Sequence, residues 1–325
     1  MKTYQQLWQS LTPLYDAGEA QAIVRTVLDV EYGMTLTDII CGKVNELSAD
    51  EGRKLEEIII RLQKGEPVQY VLGEADFAGR TFHVEPGVLI PRPETAELCQ
   101  WIEEDMAVKS TVSSEDFSED SSQATDDARQ ILDICTGSGC IAITLGLNIP
   151  NSEVTGWDIS EDALRIAQGN GEMLKARNVR IEYQDALALR KAAETDNEKM
   201  KVNADKEVVK PKGEAKTPST QKWDMIVSNP PYICEKEKAD MEKNVLEHEP
   251  SIALFVPDEN PLKFYRAIAE YASSALKPGG ALYFEINPIY EKETRKMLEE
   301  LGFKDIETKE DAFGKKRMMR AKSTK

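Results

Sequence analysis

Ser228-Asn229-Pro230-Pro231-Tyr232, directly after the apolar run Trp223-Asp224-Met225-Ile226-Val227, offers a surface of hydrogen-bond acceptors. Two consecutive prolines remove two backbone donors and hold φ near about −65°, and each residue ahead of a proline is pushed out of the helical region. The segment is therefore stiff and extended. It suits a planar NH2 group: the Asn229 side-chain oxygen and the Pro230 carbonyl each take one N–H, Pro231 keeps the segment rigid, and the Tyr232 ring packs on the plane of the group. An amide or exocyclic amine nitrogen is a poor nucleophile because its lone pair is delocalised, as the amide rotation barrier of roughly 18–20 kcal/mol shows. Two acceptors that hold both hydrogens orient that nitrogen toward an electrophile and stabilise the positive charge that develops on it. No strong base is required.

A second set of residues points to the other reactant. Ile131-Leu132-Asp133-Ile134 reads as a buried strand, and Cys135-Thr136-Gly137-Ser138-Gly139-Cys140 turns into a helix beginning near Ile141. Glycines at such a turn let backbone approach a ligand closely. Val154-Thr155-Gly156-Trp157-Asp158 is a second strand ending in an acid, where a carboxylate accepts both hydroxyls of a ribose. Val179 to Tyr183 is a third, ending near Asp185 and Ala186, with Asp185 placed to accept from an adenine amine. The turn lacks the third glycine of a dinucleotide fingerprint, and the chain has no phosphate-loop lysine, which argues against a pyrophosphate. An adenosine without phosphate fits better.

Positioning these groups calls for an open α/β sheet with its ligands at the carboxyl ends of the strands. Strand, turn and helix alternate onward: a helix over Leu262–Leu276, a stop at Lys277-Pro278-Gly279-Gly280, a strand over 281–286, a helix near 290–301, and strands near 303–307 and 316–321 that close the chain as a hairpin. Lys315-Lys316-Arg317 reads as a solvated strand end. Before the sheet, residues 1–72 are patterned as helices, with Ser48 and Glu51 as a capping box and Gly65 with Pro67 as a stop. That region is either a plain helical bundle or a docking module for a macromolecular substrate. Residues 73–98 read as a connector, with a β-hairpin over 77–84 and a proline-stiffened loop presenting Arg92 and Glu94 before a helix to about 106. The main domain is expected over 99–325, interrupted at about 107–128 and 190–221 by charged, apolar-poor stretches expected to be disordered.

Composition narrows the class. The 325 residues are 41% hydrophobic, enough for two cores, and carry a formal net charge of −17, unfavourable for binding a phosphate backbone. Five cysteines without a Cys-x-x-Cys pair suggest a reducing compartment, and His83 and His248, far apart, make a zinc or iron centre unexpected. No apolar run reaches membrane length, so a soluble, cytoplasmic protein is expected.

Taken together, Asp133-Ile134-Cys135-Thr136-Gly137-Ser138-Gly139, Asp158, Asn229-Pro230-Pro231-Tyr232 and Pro91-Arg92-Pro93-Glu94-Thr95 resemble the peptide chain release factor glutamine methyltransferase family (HemK/PrmC type). The resemblance covers the chain apart from the two charged stretches. Asn-Pro-Pro-Tyr is shared with amino-methylating enzymes acting on DNA, RNA and proteins. The Arg-Pro-Glu-Thr loop, the Gln-Tyr-Val-Leu-Gly connector and the helical N-terminal region discriminate further, since ribosomal-protein glutamine methyltransferases would carry Arg-Ser-Pro near 92–94. The resemblance implies a class I S-adenosylmethionine-dependent methyltransferase fold, Rossmann-like, with a mostly parallel seven-stranded sheet and a small N-terminal helical domain. It implies cofactor binding by the 135–139 turn, Asp158, the 185–186 segment and Asn229, with no metal. The implied reaction is methylation of the glutamine side-chain nitrogen in the Gly-Gly-Gln motif of class I release factors, contacted by the N-terminal helices. The chain departs from the family at Cys135, usually Gly, at Ala186, usually a large apolar neighbour of adenine, and at Ala96, usually an acid. The alternatives are an amino methyltransferase acting on nucleic acid (adenine N6) or on a ribosomal-protein glutamine, and a non-catalytic binding protein that retains the fold.

Overall fold

The structure, a computed structural model, describes residues 2–112, 128–189 and 221–324. The expected disordered stretches fall mostly outside them, at 113–127 and 190–220. The residues from 107 to 112 continue the helix Pro93–Val112, which therefore runs past its expected end near 106.

The chain divides into two compact units. One comprises residues 1–75, 84–86 and 240–249 and is helical. Its helices Ala17–Tyr32 and Ala49–Leu62 place Val24, Val27, Leu28, Leu55, Ile58, Ile59 and Leu62 in one apolar cluster with Leu7 and Leu11. The Ser48 capping box forms as the sequence suggests: the Glu51 N–H donates to Ser48 Oγ at 3.3 Å and the Ser48 N–H to Glu51 Oε2 at 2.8 Å. The Gln-Tyr-Val-Leu-Gly connector, in contrast, is a short helix, Val68–Leu72, stopped by Gly73 at φ 78°.

The second unit carries the sheet. Its strands and those of the preceding hairpin are β1 (Glu74–Phe77), β2 (Arg80–His83), β3 (Arg129–Ile134), β4 (Ser152–Asp158), β5 (Val179–Tyr183), β6 (Trp223–Ser228), β7 (Ile233–Cys234), β8 (Phe255–Val256), β9 (Leu276–Glu285), β10 (Lys304–Glu310) and β11 (Lys316–Lys322). The β1–β2 turn has positive φ at both Ala78 and Gly79, the geometry of a two-residue hairpin. Seven strands form one sheet in the order β10-β11-β9-β6-β3-β4-β5; β11 is antiparallel to β9 and β10, and the remaining pairs are parallel. Lys277-Pro278-Gly279-Gly280, expected to be a stop outside the strand, lies inside β9. The register absorbs it with an irregularity opposite Trp223–Met225.

Both faces of the sheet are covered, which explains its nearly continuous apolar strands. Leu132, Ile134, Ile226, Leu282 and Phe284 enter one buried cluster, while their neighbours Ile131, Met225, Val227, Ala281 and Tyr283 enter another. Register aligns the strand ends: Ile134 pairs with Trp157 and with Ser228, and Ser228 pairs with Phe284. The residues just beyond these pairs therefore emerge side by side. No described helix is long and apolar enough to cross a membrane.

Candidate active site

Beyond Ile134 the chain makes a tight turn with Cys135 at φ 63°, Gly137 at 55° and Gly139 at 80°. Asp133, fully buried, ties the turn to the helix Cys140–Asn148 that follows. Its Oδ2 accepts from Thr136 Oγ1 at 2.6 Å and from the Ala142 N–H at 3.2 Å. Burial outweighs these bonds and pushes the Asp133 carboxyl up to about 7. At the end of β4, Asp158 accepts from the Gly137 N–H through Oδ2 and from the Ser160 N–H through Oδ1, each at 2.9 Å. Burial raises its pKa against the pull of these backbone donors. With the Ile159 N–H as a third donor, the carboxylate is still short of its full lone-pair capacity and can accept from a hydroxyl. Asp185 Oδ1 accepts from the Leu187 N–H at 2.8 Å, which fixes the segment containing Ala186.

The structure brings Cys135, Thr136, Gly137, Ser138, Asp158, Asp185, Ala186, Asn229 and Pro231 to the wall of one cavity of about 360 Å³. Gly139, Pro230 and Tyr232 are not among its described lining residues. Gly139 serves packing instead of close approach to a ligand: a Cβ there would sit 3.0 Å from Ile143 Cδ1 and 3.1 Å from Ala167 Cβ. Arg92 lines the cavity, whereas Glu94 lies in the first turn of the helix Pro93–Val112. Among the described residues no group of three or more His, Cys, Asp or Glu is arranged to hold a metal ion.

Asn229 stands at the end of β6 with its Nδ2 donating to Thr95 Oγ1 at 3.2 Å. Thr95 in turn donates to Glu285 Oε2 at 2.5 Å, and Tyr232 Oη donates to Glu285 Oε1 at 3.0 Å. Burial, then the Glu285 charge, holds the Tyr232 phenol well above its ordinary pKa, so it remains a protonated donor. Arg317 Nη1 reaches Tyr232 Oη at 3.4 Å, and its Nε lies 3.5 Å from Asp311 Oδ2. Arg317 is thus a largely buried neighbour of the site and not the solvated strand end expected from the Lys-Lys-Arg run. The sequence reading also missed Glu285. Its signal was a carboxylate within the apolar run Ala281–Ile286, where a charge is retained only with partners.

A seven-stranded sheet of this order, with a glycine turn after one strand, an acid ending the next and Asn-Pro-Pro-Tyr after a third, defines a class I S-adenosylmethionine-dependent methyltransferase fold. Residues 125–312 match the family model described as "Methyltransferase domain", and residues 11–73 match "PrmC N-terminal domain". The release factor glutamine methyltransferase of Bacteroides thetaiotaomicron is 44% identical over 313 residues, 96% of this chain and 96% of that one. That of Flavobacterium psychrophilum is 35% identical over 322 residues, 98% of each, and that of Bacillus subtilis 33% over 288 residues, 88% of this chain and 85% of that one. The chain belongs to the release factor glutamine methyltransferase family.

Proposed function

We propose that the protein methylates the side-chain amide nitrogen of the glutamine in the Gly-Gly-Gln motif of class I peptide chain release factors, using S-adenosylmethionine, in the cytoplasm. The observation that carries this reading is the Asn229 carboxamide on the cavity wall: its NH2 is engaged by Thr95, which leaves its carbonyl oxygen as an acceptor. A primary amide needs such an acceptor; a carboxylate would be repelled by it.

The residues fit the cofactor. Ser138 Oγ is buried at the cavity wall with no partner among the described residues, and Asp158 keeps its remaining lone pairs beside apolar Ile159, Ala186 and Leu187. Asp158 would hold the ribose hydroxyls and Asp185 the adenine amine, with Cys135, Thr136, Gly137 and Ser138 around the remainder. Gly139 supports that turn from behind. When bound, S-adenosylmethionine supplies an electrophilic methyl group. Asn229 and the Pro230 carbonyl orient the glutamine nitrogen and stabilise the charge that grows on it, Pro231 stiffens the segment, and Tyr232 limits the amide's movement. The N-terminal helices would contact the body of the release factor.

The test is transfer of labelled methyl from S-adenosylmethionine, offered in parallel to a release factor, to its Gln→Ala variant in the Gly-Gly-Gln loop, and to duplex DNA. Label on the intact factor alone is expected. Label on DNA, or equal label on the Gln→Ala variant, would overturn the reading.

A further inference from the structure

Glu285 has no role in the transfer as described, yet it is only 2% exposed and lies one residue beyond the Ser228–Phe284 pair, beside Asn229. Both of its oxygens are taken by hydroxyls, from Thr95 and from Tyr232. A hydroxyl has one proton to give. Once that proton is committed to the carboxylate, Thr95 Oγ1 can only accept, and it accepts from Asn229 Nδ2; Tyr232 Oη likewise accepts from Arg317. Burial raises the Glu285 pKa against the pull of these two hydroxyls and of Arg317; with the carboxylate ionised, the direction of every bond in the chain follows from the negative charge at its root. The two ends of a carboxamide are almost the same shape, so hydrogen-bond partners decide which way it faces. Turned over, Asn229 would set its carbonyl oxygen against the Thr95 lone pairs and offer NH2 to the cavity, where an incoming NH2 needs acceptors.

We infer that Glu285, acting through Thr95, fixes the orientation of the Asn229 carboxamide so that its carbonyl oxygen faces the substrate nitrogen. Glu285 and Thr95 are then positioning residues for methyl transfer, an assignment that rests on the function proposed above. Removing the charge removes the rule. The Glu285→Gln side chain meets two hydroxyls with one carbonyl and one NH2, and the hydroxyl facing the NH2 recovers its own proton. Because Arg317 already donates to Tyr232 Oη, the new NH2 faces Thr95, whose proton then goes to Asn229 and favours the turned-over amide.

The test measures kcat, release-factor KM and cofactor Kd for the wild type, Glu285→Gln, Thr95→Val, Thr95→Ser and the Glu285→Gln/Thr95→Val double variant. Alongside, nitrogen-15 NMR follows hydrogen exchange at the Asn229 carboxamide, assigned by its loss in Asn229→Ala. Glu285→Gln and Thr95→Val are each expected to lower kcat at least about tenfold, with KM and Kd unchanged. The double variant should be no slower than the worse single one, because both act through one bond. Thr95→Ser keeps the hydroxyl and should recover most of kcat. The Asn229 NH2 should exchange slowly in the wild type and Thr95→Ser, and fast in the others. Wild-type kcat in Thr95→Val or Glu285→Gln, or losses that multiply in the double variant, would overturn the inference; if Glu285→Gln does not fold, the two Thr95 variants decide. The NMR needs no substrate, so the two readings fail separately. An unlabelled release factor overturns the proposed function, and fast exchange in the wild type overturns this inference.

Discussion

Where the cavity wall is made by Cys135 to Ser138 and Asp158, the groups are held mostly by backbone N–H donors and by partners close in sequence, the longest reach being the 32 residues between Asn170 Nδ2 and the Ser138 carbonyl. Where it is made by Asn229, the support is all side chain and comes from afar. Thr95 lies 134 residues from Asn229, and Glu285 lies 190 residues from Thr95. Backbone donors survive almost any substitution, whereas a hydroxyl or carboxylate is lost with its residue. The first wall should therefore yield to substitution mainly through stability, and the second mainly through turnover with the fold intact.

The strongest challenge to this contrast is Asp133, a side-chain anchor of the first wall beside Asn170, which donates to the Ser138 carbonyl. Its folded-state pKa is raised to about 7, so the native state holds the proton more tightly than the unfolded chain. Its contribution is fully present below about pH 4, the unfolded value, and is lost as pH rises to 7, by on the order of 4 kcal/mol. Urea unfolding at pH 4.5 and pH 8 should show Asp133→Asn losing about 3 kcal/mol less stability than wild type across the interval. An equal pH dependence in the two proteins would mean that the carboxylate is not desolvated. On the second wall, Asn229→Ala should lower kcat by about 10²–10³, equivalent to roughly 2.7–4 kcal/mol, with cofactor affinity mostly retained and melting temperature unchanged. Parallel losses of both would place Asn229 with the structural residues. Gly139→Ala meets Ile143 and Ala167 at positive φ, so a destabilisation of about 2 kcal/mol is expected by thermal or urea unfolding. Smallest of all is Cys135→Gly. At φ 63° it relieves a left-handed backbone but adds chain entropy, for a net gain of about 0.5 kcal/mol. A lowered melting temperature would show that the thiol contributes more by packing than its backbone costs.

The same contrast explains what could be read from the sequence. The strands declare themselves in β-branched runs such as Ile131–Ile134 and Met225–Val227, and the 135–139 turn in its glycines, because local sterics write local patterns. Asp158 is legible because it ends a strand at a recurrent distance from that turn. Thr95, Glu285 and Arg317 had no such signal as a set: the pairing of β9 with β6 and β11 brings Glu285 and Arg317 beside Asn229, and the helix Pro93–Val112 brings Thr95, a property of register and packing and not of spacing. The segment 277–280 misled for a related reason. Pro278 and two glycines read as a stop, but the register irregularity beside Trp223 lets the strand pass through them. The helix after Pro93 ran longer than expected because nothing between 106 and 112 breaks it; no glycine or proline occurs there.

The order of the strands along the chain differs from their order in the sheet, and this has a consequence for synthesis. The part of the cavity wall made by Cys135 to Ser138, Asp158, Asp185 and Ala186 has been made once β5 and its following turn have emerged. Asn229 follows, but the carboxylate that orients it arrives with β9, and Arg317 only with β11, which runs against its neighbours and so delivers its first residues to the carboxyl ends of the parallel strands. A nascent chain halted ahead of β9 would present that wall and an unaligned amide. Competence to transfer is thus acquired only after that wall has been made, with the residues of β9 and β11.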